Sequence, residues 1–151
     1  MHTIKQTFIT LVSSLCLVAS GSALAQETPT MAPAGVKLVE AKAVQDLQAK
    51  GAVLIDTRKA NEFSDATIKG AISVPYDPEK SAKDANFDSA QDKYDMGKIA
   101  DKNKDYVVFC NSGTCWKSYK AAVVMAKAGY KNVHWYRNGF PDWKARKLPT
   151  D

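Results

Sequence analysis

The sequence predicts an α/β fold with a mainly parallel sheet covered by helices on both faces. Three observations lead there. Residues 52–55 (Ala-Val-Leu-Ile) and 106–109 (Tyr-Val-Val-Phe) are short continuous apolar runs with the look of buried parallel strands. Stretches with helical apolar spacing alternate with those runs. Finally, 151 residues with 45% apolar and 25% charged side chains describe one globular body. A body of that size buries a core without a framework of disulfides. Eight Gly and six Pro do not suggest a disordered or fibrous chain.

Residues 1–25 read as a secretory signal peptide with cleavage before Gln26. They hold no acidic side chain, begin with positive Lys5, and run apolar over residues 8–19. Ala23 and Ala25 then supply small residues where a signal peptidase reads them. A membrane span needs roughly 20 apolar residues and this run is shorter, so no stable membrane anchor is expected. Leu15 is too large to precede Cys16 in a lipoprotein signal. Export places the chain in the periplasm, where thiols meet an oxidising environment. Cleavage removes one basic side chain, Lys5, from a net charge of +5, and it removes Cys16. The remaining charge is modest, with Lys and Asp interleaved over residues 77–104. That pattern is a solvated surface and gives nucleic-acid binding no support.

Residues 26–35, rich in Pro, Thr and Ala, read as a flexible leader, and residues 36–151 as the folded domain. Over residues 39–50, Val39, Ala43, Val44 and Leu47 recur at helical spacing, and Gly51 is placed to end that helix. The strand at 52–55 opens onto Asp56. Residues 71–74, before Pro75, read as a second strand. Residues 76–105 form a long charged excursion with one helix expected over 91–100. The strand at 106–109 delivers the chain to Cys110. A helix over 117–128 follows, with Ala121, Ala122, Val124, Met125 and Ala128 along one side and Gly129 closing it. Residues 132–136 make the last strand, Asn138 and Gly139 a turn, and residues 141–146 a final helical turn.

The chemistry is expected between the clearest strand and the clearest helix. Crevices beyond the carboxyl ends of parallel strands are where ligands bind in such sheets. There the small residues Asn111, Ser112, Gly113 and Thr114 allow the backbone to curl with its N–H groups facing one centre. The following helix, which begins with Trp116, Lys117 and Ser118, adds its positive end. Cys110 at the start of this loop would ionise readily, with Lys117 adding charge. The competing reading is a small buried hydrophobe at a strand end.

The chain resembles the rhodanese-like domain family over roughly residues 36–149, and three stretches carry the likeness. The first is Val53-Leu54-Ile55-Asp56-Thr57-Arg58 with Glu62-Phe63 and Ile68-Lys69-Gly70-Ala71-Ile72-Ser73-Val74-Pro75, where Thr67 stands at the position usually held by His. The second is the Cys110 loop. The third is Gly129-Tyr130-Lys131-Asn132-Val133, Asn138-Gly139, Trp143 and Leu148-Pro149. The resemblance implies a three-layer α/β/α fold around a mainly parallel sheet of about five strands. It implies a sulfurtransferase in which Cys110 is the nucleophile, held between turns as a persulfide, with the loop amides steadying the anionic sulfur. The partners implied are a small sulfane-sulfur donor and a thiol or other acceptor. No metal or organic cofactor is required.

The loop departs from the family's Cys-x-x-Gly-x-Arg-Ser. Cys110 and Gly113 are kept, but Cys115 occupies the Arg position. Aligning on Ser118 instead puts Lys117 there and makes the loop two residues longer. Either way the bidentate guanidinium is lost, and Lys is a poorer fork for an oxyanion. This counts against efficient use of thiosulfate and leaves a smaller or less charged donor, such as a persulfide. Phosphatases related to this fold need Cys-x5-Arg, and Trp116 stands where that Arg would be.

Cys110 and Cys115 lie close enough in a curling loop for a disulfide. A second function class follows: a thiol-redox protein, either cycling that bridge with a periplasmic redox partner or resolving a Cys110 persulfide through Cys115 with release of reduced sulfur. A third is a binding module with an idle loop. The spacing is neither the thioredoxin Cys-x-x-Cys nor a haem-attachment motif. After cleavage His134 is the one remaining His, so a structural zinc set is not expected. A half-buried, hydrogen-bonded side chain in a strand suits it better. Asp56 and Arg58 are read as scaffold support, Asp56 reaching the loop amides and Arg58 the neighbouring segment, or alternatively as a local ion pair with Glu62. Trp116, Trp135, Tyr136 and Trp143 are candidates for pocket walls or core.

Overall fold

The computed structural model describes residues 25–151. The expectation of a signal peptide over 1–25 therefore lies outside the described residues, Ala25 excepted. Five strands are present: β1 (Val36–Leu38), β2 (Val53–Asp56), β3 (Ile72–Ser73), β4 (Asp105–Phe109) and β5 (Asn132–Tyr136). They form one sheet in the order β1-β5-β4-β2-β3, and every pairing is parallel. The helices are α1 (Ala41–Ala49), α2 (Ala60–Asp65), α3 (Trp116–Lys127) and α4 (Gly139–Ala145).

Alternation along the central strands divides the core into two layers. Tyr106 and Val108 of β4 and Val133 and Trp135 of β5 join the cluster under α3, with Tyr119, Ala122 and Met125. Val107 and Phe109 of β4 and Tyr136 of β5 face the other way, onto Ala41 and Val44 of α1 and Phe140 and Trp143 of α4. Trp135, Tyr136 and Trp143 are thus core residues rather than pocket walls. The result is the α/β/α arrangement expected.

Several elements differ from the sequence reading. The expected helix at 91–100 is replaced by two 3-10 turns, Ser89–Gln91 and Gly97–Ile99. The reason is local: Asp84, Asp88, Asp95 and Asp101 each accept a hydrogen bond from the amide two residues on. Such aspartate turns compete with a helical ladder. Asp92 is the hub of this excursion, accepting from the Lys80 and Ser81 amides, both at 2.7 Å, and from the Tyr76 hydroxyl at 2.8 Å. Burial opposes its charge, but these donors outweigh burial and hold its carboxyl below the usual range. Lys120 of α3, fully buried, completes the cluster, with its ammonium 2.9 Å from Glu79 and 3.9 Å from Asp92. α3 is consequently buried nearly all round over its first turns, not along one side.

Part of the segment read as a flexible leader packs on the domain. Thr28 is buried, its amide donates to the Gly113 carbonyl at 2.7 Å, and Ala32 packs against the core under α3. Composition suggested freedom, but the backbone groups here are satisfied by the domain itself. Among the described residues, no helix is long and apolar enough to cross a membrane.

Candidate active site

The carboxyl ends of β2, β4 and β5 meet at one mouth. Register pairs Asp56 with Phe109 and Phe109 with Tyr136, so Thr57 and Arg137 flank Cys110 on either side. The Thr57 amide and hydroxyl both donate to the Phe109 carbonyl, at 3.1 and 2.8 Å. On the other side of the loop, the Phe140 amide donates to the Cys110 carbonyl at 2.8 Å. Cys110 is 1% exposed.

From Cys110 the chain curls as expected, and the loop closes on itself through a Cys110–Cys115 disulfide with a Cα–Cα distance of 6.1 Å. The Cys115 amide donates to the Ser112 carbonyl at 3.0 Å. The Ser112 and Thr114 hydroxyls pair at 2.9 Å. Among the described residues, the N–H groups of Asn111, Ser112 and Gly113 have no main-chain acceptor. Cys115 is the N-cap of α3 and supplies no side-chain cap, so the bridge lies at the positive end of a twelve-residue helix.

The helix residues expected to line the loop are committed elsewhere. The Lys117 ammonium binds the Tyr76 carbonyl at 2.7 Å and Asp77 at 3.2 Å, which ties α3 to the excursion. Ser118 accepts from the Trp135 indole at 3.0 Å. Trp116 is buried edge-on against Tyr119, and its indole donates to the Gln26 carbonyl at 2.8 Å.

Beside the loop opens a cleft of about 400 Å³ whose lining includes Arg58, Glu62, Asp65, Asn111, Phe140 and Lys144. Of the loop residues, Asn111 alone lines it. Arg58 lies with its guanidinium 4.4 Å from the Phe140 ring centre. Its support is not the Glu62 pair: Nη2 binds Asp56 at 2.6 Å and the Ala66 carbonyl at 2.7 Å. Asp56 does not reach the loop amides. It accepts from Arg58 and, at 2.8 Å, from the Thr67 hydroxyl. Arg58 does hold the neighbouring segment, through the Ala66 carbonyl, while it also lines the cleft.

Glu62, mentioned in the sequence reading only as a possible partner for Arg58, joins the site directly. It accepts from Asn111 Nδ2 at 2.7 Å and from the Lys59 amide at 3.2 Å. Burial works to raise its carboxyl. The Asn111 and Lys59 bonds, with the charges of Arg58 and Lys117, prevail and hold it below the usual value of 4.5. His134 lies apart from the loop, buried, with Nε2 3.0 Å from Asp105 at the far end of β4. It forms no Cys-His pair.

The sequence reading gives Arg137 no role and Gly139 only that of a turn. The Arg137 guanidinium lies against Gly113 so closely that a Cβ at position 113 would sit 2.7 Å from it. It donates to Thr28 Oγ1 and the Pro29 carbonyl, both at 3.1 Å, and to the Thr28 carbonyl at 3.0 Å. Glu27 adds an ion pair at 3.1 Å. An arginine thus supports the loop from just past β5, although none lies within it. The available signal was its place just past the carboxyl end of a strand.

Residues 40–146 match the family description "Rhodanese-like domain". The chain belongs to the rhodanese-like domain family. Among curated relatives it is 29% identical over 94 residues to a putative mitochondrial thiosulfate sulfurtransferase of Schizosaccharomyces pombe, covering 62% of this chain and 64% of that protein. The chain thus spans less than two thirds of that relative. It is also 29% identical over 105 residues to the thiosulfate sulfurtransferase GlpE of Actinobacillus succinogenes, covering 70% of this chain and 80% of that one. The rhodanese-like domain of an Anabaena protein superposes with a TM-score of 0.55 at 19% identity, covering 76% of this chain and 77% of that one. That likeness bears on the fold alone. The rhodanese-like assignment makes the Cys110 loop the candidate active site, with Cys115 as this chain's departure from the family pattern.

Proposed function

We propose that this rhodanese-like chain is a periplasmic sulfurtransferase that carries sulfane sulfur as a persulfide on Cys110. One observation carries the reading: Cys110 directly follows the central strand and opens a loop whose Asn111, Ser112 and Gly113 amides lack main-chain acceptors among the described residues. Those donors, with the positive end of α3, stabilise a thiolate and then a persulfide anion. The Cys110 thiolate attacks the sulfane sulfur of a donor, and the rest of the donor leaves with the bonding electron pair. The outer sulfur is then taken by a thiol or another nucleophilic acceptor.

Kinship with thiosulfate sulfurtransferases supports the reaction class. With no loop arginine, and with Lys117 held by Tyr76 and Asp77, a donor smaller or less charged than thiosulfate suits the site better. Export is supported by the charge and hydropathy order of residues 1–25. Recovery of a periplasmic protein whose first residue is Gln26 tests it. Intact-mass measurement tests the chemistry: reduced protein mixed with a sulfane-sulfur donor gains one sulfur, and Cys110→Ser gains none. Absence of an adduct with every donor tried overturns the reading.

The Cys110–Cys115 bridge favours a second reading, a thiol-redox protein served by a periplasmic dithiol partner. Thiol counting on acid-quenched periplasmic protein tests it. A bridge that forms and is reduced by dithiols supports it; two thiols that stay free under oxidising conditions reject it.

A further inference from the structure

We propose a further activity, resting on the Cys110 persulfide reading: Cys115 resolves that persulfide internally and releases its outer sulfur as sulfide. The chain would then act as a sulfane-sulfur reductase as well as a carrier.

Three features point to it. The first is reach. Cys115 Sγ is bonded to Cys110 Sγ, so the sulfur it meets is the inner one of a persulfide, not the outer one. Attack on the outer sulfur would only move the persulfide to Cys115. Attack on the inner sulfur expels sulfide. The second is access. Cys110 is 1% exposed, and its carbonyl is fixed by the Phe140 amide, whereas Cys115 is only half-buried. With the loop curled this way, an internal thiol has a large advantage over an external acceptor. The third is the commitment of the nearby cations. Lys117 is bound by Tyr76 and Asp77, and Arg137 by Glu27, Thr28 and Pro29, so neither is free to hold the outer sulfur as an anion.

The step balances. The persulfide anion takes a proton from water on its outer sulfur; the Cys115 thiolate then attacks Cys110 Sγ, the bond from Sγ to the outer sulfur breaks, and hydrosulfide leaves with the electron pair and that proton. The Cys110–Cys115 disulfide forms. Two thiol sulfurs are oxidised by two electrons in total, and the sulfane sulfur is reduced by two. Return to the dithiol form requires an external dithiol. Its first attack falls on Cys115, the more exposed residue of the two, and Cys110 departs as a thiolate at the positive end of α3.

A single turnover tests this. Reduced protein, freed of reductant, receives one equivalent of glutathione persulfide, and sulfide release and intact mass are followed. The wild type is expected to release one sulfide per chain and to finish with the bridge closed. Cys115→Ser and Cys115→Ala are expected to keep the extra sulfur on Cys110 and to release sulfide more slowly by a factor on the order of 100. Uptake of sulfur by these variants itself reports a folded site. Sulfide release by them at the wild-type rate, or a wild type that retains its sulfur beside a free Cys115, overturns the resolving role and leaves the persulfide reading standing. No uptake by any of the three proteins overturns both.

Discussion

Gly139 lies directly beneath the carbonyl of Cys110. Its backbone has φ +65°, and a Cβ at this position would overlap the Cys110 oxygen and press on its carbon. The next amide, Phe140, donates to the same oxygen at 2.8 Å. The start of α4 is therefore the floor on which the reactive loop rests.

Gly139→Ala is expected to destabilise the fold by roughly 2–4 kcal/mol, since a side chain there meets both an unfavourable φ and a backbone clash. Denaturant unfolding measures the loss. The alkylation rate of Cys110 in reduced protein should rise as well, because the loop is lifted from its floor. A variant as stable as the wild type would contradict the close approach.

Arg58→Met is expected to cost about 3–5 kcal/mol, because it leaves the Asp56 carboxylate buried with one partner charge removed. Asp56 is fully buried and Arg58 nearly so, with 2.6 Å between them. Denaturant titration gives the loss directly. A stability change within experimental scatter would show that the pair is not the scaffold of the cleft.

Acid should weaken the contact between α2 and the loop. The Glu62 carboxyl is held below its usual value in the folded chain, so its contribution is complete above 4.5 and is lost as pH falls through the folded value. Urea midpoints of wild type and Glu62→Gln, followed from neutral pH downward, are expected to differ most above pH 4.5 and to converge below it. A gap that does not change with pH would assign the effect to packing instead.

Arg137→Met is expected to release residues 26–30 from the loop. Hydrogen exchange at the Thr28 amide, bonded to Gly113 at 2.7 Å, should quicken. Global stability should fall by about 1–3 kcal/mol. Unchanged protection of Thr28 would mean that the guanidinium does not hold the segment.

Much of the architecture was legible because its causes are local. The strand at 106–109 and the helix after it announce themselves by apolar content and spacing, and they coincide with β4 and α3 to within a residue or so. β1 was not legible: Val36–Leu38 is short, half exposed, and becomes a strand only by pairing with β5. α2 buries none of its residues and so carries no periodic signal. The excursion defeats helical reading because its aspartates bond their own turns.

At the site, the Cys110 loop and its two sulfurs could be read from position along the chain. Glu62, Arg137 and Gly139 could not, because their roles arise from register. Arg137 meets Gly113 only because β5 lies beside β4, and Gly139 matters only because α4 begins under Cys110. Lys117 shows the reverse case. Its sequence position suggests a cation for the loop, but the folded excursion brings Tyr76 and Asp77 within its reach first.

The hydrogen bonds that join Gln26 and Thr28 to Trp116 and Gly113 have a practical consequence for anyone trimming the protein. A shortened version starting at Val36 keeps every strand and helix, yet it strips the acceptors from Arg137 and uncovers the indole next to the bridge. Such a fragment would fold into the right outline with the wrong doorway.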